Sequence, residues 1–160
     1  MRPCLGSQLL SAVAGAVSAL ALLGCGNTAL PLAPEVQERA VTAAMLSDFI
    51  EHRSSRQWLK VFLSDQYVSF QIESSFVRDL PEISVPYVVA PRAIAEVSPD
   101  IIRDGGLLLE PLAATQHSDG TFSQALNYSA TSDYGGMLVY QTRFLVGRWV
   151  IIKVTRVWEI

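Results

Sequence analysis

Between Arg2 and Glu35 the chain carries no charged residue, and within that interval Leu9 to Leu23 reads LLSAVAGAVSALALL. A cation near the start, an apolar stretch of about this length and small residues at its end mark an export signal that is absent from the mature protein. A transmembrane helix needs roughly 20 apolar residues. Here polarity returns at Asn27, and no flanking cation holds the run in place. Export is therefore the expected role, and the folded part must be sought after this segment.

The run closes on Leu22-Leu23-Gly24-Cys25. This resembles the lipobox of bacterial lipoprotein precursors: a Leu three before the Cys, a small residue directly before it, and the Cys itself. Leu23 is bulkier than the commonest residue at its place. The resemblance implies that residues 1–24 are a lipoprotein signal peptide. Cys25 would receive a diacylglycerol through its thiol, become residue one after cleavage, and be acylated on its new amine, palmitate being a typical chain. A thiol suits this chemistry because it yields a nucleophilic thiolate at moderate cost. One acyl chain anchors a protein only marginally, whereas two or more anchor it stably. Gly26 stands where an Asp would signal inner-membrane retention. The implied location is the cell envelope, on the outer membrane facing the periplasm if the host is Gram-negative. Residues 25–34 continue as GNTALPLAP after the Cys, uncharged and with two prolines. They read as a flexible tether reaching at most about 30 Å.

Cysteine count then restricts the remainder. Cys4 would leave with the signal and Cys25 would carry lipid, so residues 35–160 contain no thiol. Disulfides, thiol nucleophiles and Cys zinc sites are excluded there. The segment is long enough for one domain that buries about two-thirds of its unfolded surface. The mean hydropathy of +0.30 is raised by the signal segment. The formal charge of −3 becomes one unit more negative when Arg2 is removed, and no basic run occurs. Nucleic acid is therefore not expected as a partner, and no polybasic patch for anionic lipid is apparent.

Pro34-Glu35 suits a helix start, with Pro in the first turn and Glu35 and Glu38 near the positive end of the dipole. Val36, Ala40, Ala43, Leu46 or Ser47, and Ile50 recur at helical spacing, widened by Val41, Met45 and Phe49, and predict a helix to about His52. Gln57 to Leu63 reads as a short second helix, and Tyr67 to Ile72 as the first strand. Prolines at 81, 86, 91, 99 and 111 interrupt β-branched runs such as Tyr87-Val88-Val89, demoting them to edge strands or loops. Residues 74–106 are the least patterned part. The last third predicts antiparallel sheet. Leu107 to Gln116 and Thr121 to Ser129 flank Ser118-Asp119-Gly120, while Met137 to Val146 and Trp149 to Ile160 flank Gly147-Arg148, read as a type II′ turn. That turn sets Val146 opposite Trp149, Phe144 opposite Ile151 and Tyr140 opposite Thr155. Val150, Ile152, Val154 and a buried Trp158 then share the other face with Leu145, Arg143, Gln141 and Met137.

One or two helices followed by a bent antiparallel sheet indicate an α+β roll. The Glu35 to His52 helix, the Leu63-Ser64-Asp65 to Phe70 junction and the Gly147-Arg148-Trp149-Val150-Ile151-Ile152 hairpin resemble the nuclear transport factor 2-like, or wider cystatin-like, group. The likeness covers both ends of the domain and omits its Pro-rich middle.

Catalytic signatures are absent: no GxSxG, Walker or GxGxxG pattern occurs, and His52 and His117 lack metal-ligand spacing. His52 fits a helix C-terminus and His117 a solvated turn. Neither a cofactor nor a metal is expected. The polar residues singled out are Arg143, Arg156 and Gln141, which the expected register places on one apolar face, where they could bind an anionic group inside a concave sheet. The competing expectation is that one arginine reaches water at the rim and the other pairs with Asp133 or Glu159 at the surface. The functional expectation is a lipid-anchored, non-catalytic module binding an envelope protein or a small apolar or anionic ligand. Its rivals are an isomerase or dehydratase of the nuclear transport factor 2-like type, needing an Asp–His or Asp–Tyr set, and a structural subunit of an envelope complex.

Overall fold

A computed structural model describes residues 33–54, 58–90, 105–131 and 134–160. The export signal, Cys25 and nearly all of the tether lie outside the described residues, as do residues 91–104 of the Pro-rich middle and Asp133. Helix α1 spans Pro34–Asp48 and continues as a π-helical turn, Phe49–Arg53. The strands are β1 Lys60–Ser64, β2 Tyr87–Ala90, β3 Gly106–Pro111, β4 Thr115–Gln116, β5 Thr121–Thr131, β6 Tyr134–Leu145 and β7 Arg148–Glu159, with a one-turn helix α2, Ser74–Val77, between β1 and β2. The sheet order is β2-β1-β3-β5-β6-β7, and β4 pairs with β5. The fold is thus α+β, a helix packed on a seven-stranded sheet.

The sheet is mixed. Its β3–β7 part is antiparallel, as the sequence predicts, but β1 runs parallel to both β2 and β3. Two expectations fail at that end. Lys60–Ser64 is a strand where a short helix is expected, because Val61 and Leu63 alternate into the core. Tyr67 to Ile72 forms no strand and makes only one bridge, Tyr67 to Leu112. Val68, Phe70 and Ile72 are nevertheless buried, so their alternation reflects packing of a loop. β2 follows Pro86 and is an edge strand, in keeping with the proline-interrupted run.

The buried stripe of α1 is Glu38, Val41, Thr42, Met45, Leu46 and Phe49, a full i, i+3, i+4 repeat. It is centred one row away from the sequence-based stripe, whose first member, Val36, is exposed. The offset arises from the two polar residues. Thr42 accepts from the buried Gln124 Nε2 at 2.8 Å, and that amide also donates to the Leu112 carbonyl at 2.7 Å. Glu38 accepts from the backbone N–H groups of Ser69 at 3.1 Å and Ala114 at 2.9 Å, and from the Ser69 hydroxyl. One carboxylate therefore ties α1 to two loops 31 and 76 residues away. Glu38→Leu, which fills the space but accepts nothing, should cost about 1–3 kcal/mol, since the orphaned donors of Ser69 and Ala114 are only partly buried and water replaces some of what each loses. Urea denaturation checks this; an unchanged midpoint would show that water reaches those amides.

On β5, Phe122, Gln124, Leu126, Tyr128 and Ala130 face α1, and on β6 Leu138, Tyr140 and Thr142 do the same. The β6–β7 turn is Val146-Gly147, one residue earlier than expected, and both residues have positive φ, 49° and 79°. That is the type I′ pattern, whose twist matches the strands; a valine there is unfavourable and is fully exposed. Two bulges interrupt the pairing along β7. Gln141 pairs with Lys153 while Thr142 pairs with Ile151, leaving Ile152 surplus; Met137 pairs with Trp158 while Leu138 pairs with Arg156, leaving Val157 surplus. Each bulge reverses the facing of the strand residues beyond it. Val154 therefore stands opposite Tyr140 on the helix side, not beside Arg143, and Trp158 lies on the other face, 44% exposed. The expected burial of Trp158 is incorrect.

Candidate functional site

The bulges also separate the residues singled out from sequence. Arg156 pairs with Leu138 on the helix-facing side, while Arg143 and Gln141 lie on the opposite face, opposite Val150 and Lys153. Arg143 borders a shallow depression of about 320 Å³ with Gln141, Ile152, His117 and Asp119. Its side chain is 40% exposed and pairs with Asp119 at 3.2 Å, while its Nε is buried without a hydrogen-bond partner among the described residues. The Thr121 hydroxyl and N–H donate to Asp119, at 2.6 and 3.0 Å, and with Arg143 they hold that carboxyl below its ordinary pKa. The His117 ring contacts Ser123 Oγ at 2.7 Å. This is a solvated turn network.

Arg156 instead stands at a cleft of about 470 Å³ between the π-helical turn and the β5–β7 sheet. Phe49, Tyr128, Tyr134, Leu138 and Val154 form its inner surface, with His52, Arg53, Arg156 and Glu159 around the mouth. The aromatic rings stack at a tilt, with centroids 5.0 Å apart for Phe49–Tyr128 and 5.6 Å for Tyr128–Tyr134. A sequence cue for this floor exists in hindsight: Tyr128 and Phe49 occupy core-facing positions at the ends of their elements.

Local backbone explains how the polar groups reach the mouth. Ser54 N–H donates to the Phe49 carbonyl at 2.9 Å, the i+5 spacing of a π turn, and such turns recur at functional sites. The widened turn brings the Arg53 guanidinium within 5.9 Å of the Tyr140 ring centroid while Arg53 Nε pairs with Asp48 at 2.7 Å. On the sheet, Gly136 sits in the ladder between Tyr128 and Glu159. A Cβ on Gly136 would approach the Tyr128 hydroxyl to 2.5 Å, so only glycine lets that ring lie across the strand. The Tyr128 hydroxyl then donates to Glu159 Oε1 at 3.3 Å, and Glu159 Oε2 pairs with Arg156 at 2.5 Å.

Burial, followed by the charge of Glu159, pushes the Tyr128 pKa up to about 12, so it remains a protonated donor. Tyr140 shifts upward for the same first reason, with Asp48 adding to it. An Asp–His pair does occur at the mouth, Asp48 with His52, but its atoms are 3.6 Å apart and the imidazole side chain is 65% exposed. That separation exceeds a hydrogen bond, which leaves the ring unoriented for proton transfer. Asp65, at the β1 junction, accepts from the Ile72 N–H at 3.3 Å and does not line the cleft. Among the described residues no group of three His, Cys, Asp or Glu is placed to hold a metal ion, and no helix is long and apolar enough to cross a membrane.

Neither a family model, nor a curated protein, nor a solved structure matches the chain.

Proposed function

We propose that this protein is a lipid-anchored binding module of the cell envelope, and that it takes a small ligand with an apolar body and an anionic group into the cleft beneath the π-helical turn. The observation that carries this reading is the cleft itself: an aromatic floor with two arginines at its mouth. Polar groups make up more of the accessible lining than the largely buried aromatic floor does, so the anionic group of the ligand carries most of the recognition. Arg53 and Arg156 each commit part of the guanidinium to one carboxylate. Each guanidinium carries five donors in a planar fork, suited to a second carboxylate or similar anion. The anchor rests on Leu22-Leu23-Gly24-Cys25 after the apolar run, and outer-membrane placement rests on Gly26. A helix lying over the sheet face that bears the cleft supports a nuclear transport factor 2-like arrangement; the parallel pairings of β1 depart from an all-antiparallel roll.

An anilinonaphthalene sulfonate dye has both features of such a ligand and brightens when its rings leave water. It should bind saturably to the full chain in detergent, and Arg156→Glu should weaken binding about tenfold or more, the worth of one charge-assisted hydrogen bond. Val154→Trp, which fills the cleft, should remove binding at unchanged circular dichroism. Dye binding indifferent to both substitutions would exclude the cleft.

A further inference from the structure

β7 is an edge of the sheet opposite to β2, and among the described residues its twelve residues pair only with β6. Such an edge presents unpaired backbone donors and acceptors. Large apolar side chains are exposed along it and just beyond its end: Ile152 at 46%, Val157 at 53%, Trp158 at 44% and Ile160 at 69%. The two surplus residues of the bulges are among them. Clustered exposed apolar groups on one element mark a contact surface more often than scattered ones do.

Charge identifies the partner. β7 carries Arg148, Lys153 and Arg156 against one carboxylate, Glu159, in a chain whose formal charge is −3. Glu159 is engaged by Arg156. Arg148 and Lys153 have no ion-pair partner among the described residues. Two copies joined edge to edge would double the surplus positive charge along one seam, and like charges opposite one another destabilise a strand pair. Bulges and cations are also the devices by which sheet edges resist pairing with their own kind.

We infer that β7 is a strand-addition site for an extended, acidic and apolar segment of another protein. Backbone hydrogen bonds to that edge supply affinity, carboxylates on the outer face meet Arg148 and Lys153, whose side Trp158 shares, and the alternate apolar side chains turn to the helix-facing side, toward Ile151 and Val154. Arg148 and Lys153 do not line the cleft, although Val154, Arg156 and Glu159 of the same strand do.

The test uses the full chain in non-ionic detergent and labelled nine-residue peptides alternating valine with glutamate, N-methylated on one edge so that they cannot stack on themselves. Fluorescence anisotropy should show binding, with a blue shift of Trp emission that Trp158→Phe removes. A valine–lysine peptide should bind at least tenfold more weakly, and Arg148→Glu with Lys153→Glu should invert that preference. A glutamate peptide N-methylated on both edges should not bind, which distinguishes backbone pairing from charge attraction. The inference is overturned if neither peptide binds, if glutamate and lysine peptides bind alike, or if the doubly methylated peptide binds as well as the other. It is equally overturned if the double variant abolishes a concentration-dependent dimer, which assigns the edge to a second copy. Loss of binding to phosphatidylglycerol vesicles in that variant, with no peptide binding, would assign it to lipid.

Discussion

Cys25→Ser is expected to abolish lipid attachment and to leave the bond between residues 24 and 25 uncut. The reason is chemical. In the lipobox resemblance the peptidase acts on the lipid-modified residue, and a serine hydroxyl lacks the thiolate needed to accept the diacylglycerol. Everything around the position is unchanged in the variant: the apolar Leu9 to Leu23 run and Gly24 remain, so export should still begin. Each buried CH₂ contributes about 0.8 kcal/mol to membrane attachment, so loss of several acyl chains is an all-or-none change rather than a graded one. Radiolabelled fatty-acid incorporation and the N-terminal mass of the processed protein measure it. Equal labelling of the variant, or a wild-type N-terminus other than Cys25, would remove the anchor from the proposed function.

Legibility from sequence followed the strength of local periodicity. The alternation in Thr121 to Ser129 and Met137 to Val146 predicts β5 and β6 to within a few residues, and Pro34 with the helical stripe predicts α1. Two kinds of information were missing. The first is pairing direction: nothing local to Lys60–Ser64 states that its neighbours 26 and 46 residues away run parallel to it, as Val61 does with Tyr87 and Leu107. The second is the bulges. Trp149 to Ile160 alternates with no glycine to mark a surplus residue, yet Ile152 and Val157 are both unpaired. The first bulge reverses the side assigned to Val154 and parts Arg143 from Arg156; the second returns Trp158 to the expected side beside Met137, but that side is the outer one and not the core. One sequence expectation did anticipate a contact: Glu159 as a partner for arginine, met by Arg156. Glu38 and Thr42 eluded the helical pattern because a polar residue is buried only when partners elsewhere in the chain satisfy it.

The register with its two bulges makes a second large prediction, a contrast between two aromatic truncations. Phe49→Ala should cost about 3–5 kcal/mol, as for other fully buried aromatics. Phe49 is 1% exposed, and its ring meets Tyr128 at 5.0 Å. It sits where α1 becomes the π turn, so the backbone around it is held by the helix on one side and the Ser54 to Phe49 hydrogen bond on the other. Collapse onto the vacated space is correspondingly limited, which keeps the cavity contribution large. Trp158→Ala should cost about 1 kcal/mol or less despite removing a bigger ring, because the indole is 44% exposed and paired only with Met137 on the outer face, where surface substitutions have small effects. Urea denaturation of both variants, compared at a common slope, separates them. Equal losses would place Trp158 in the core. The second bulge would then be absent, and the indole would share the helix-facing side with Val154 and Arg156, in the space assigned to the ligand.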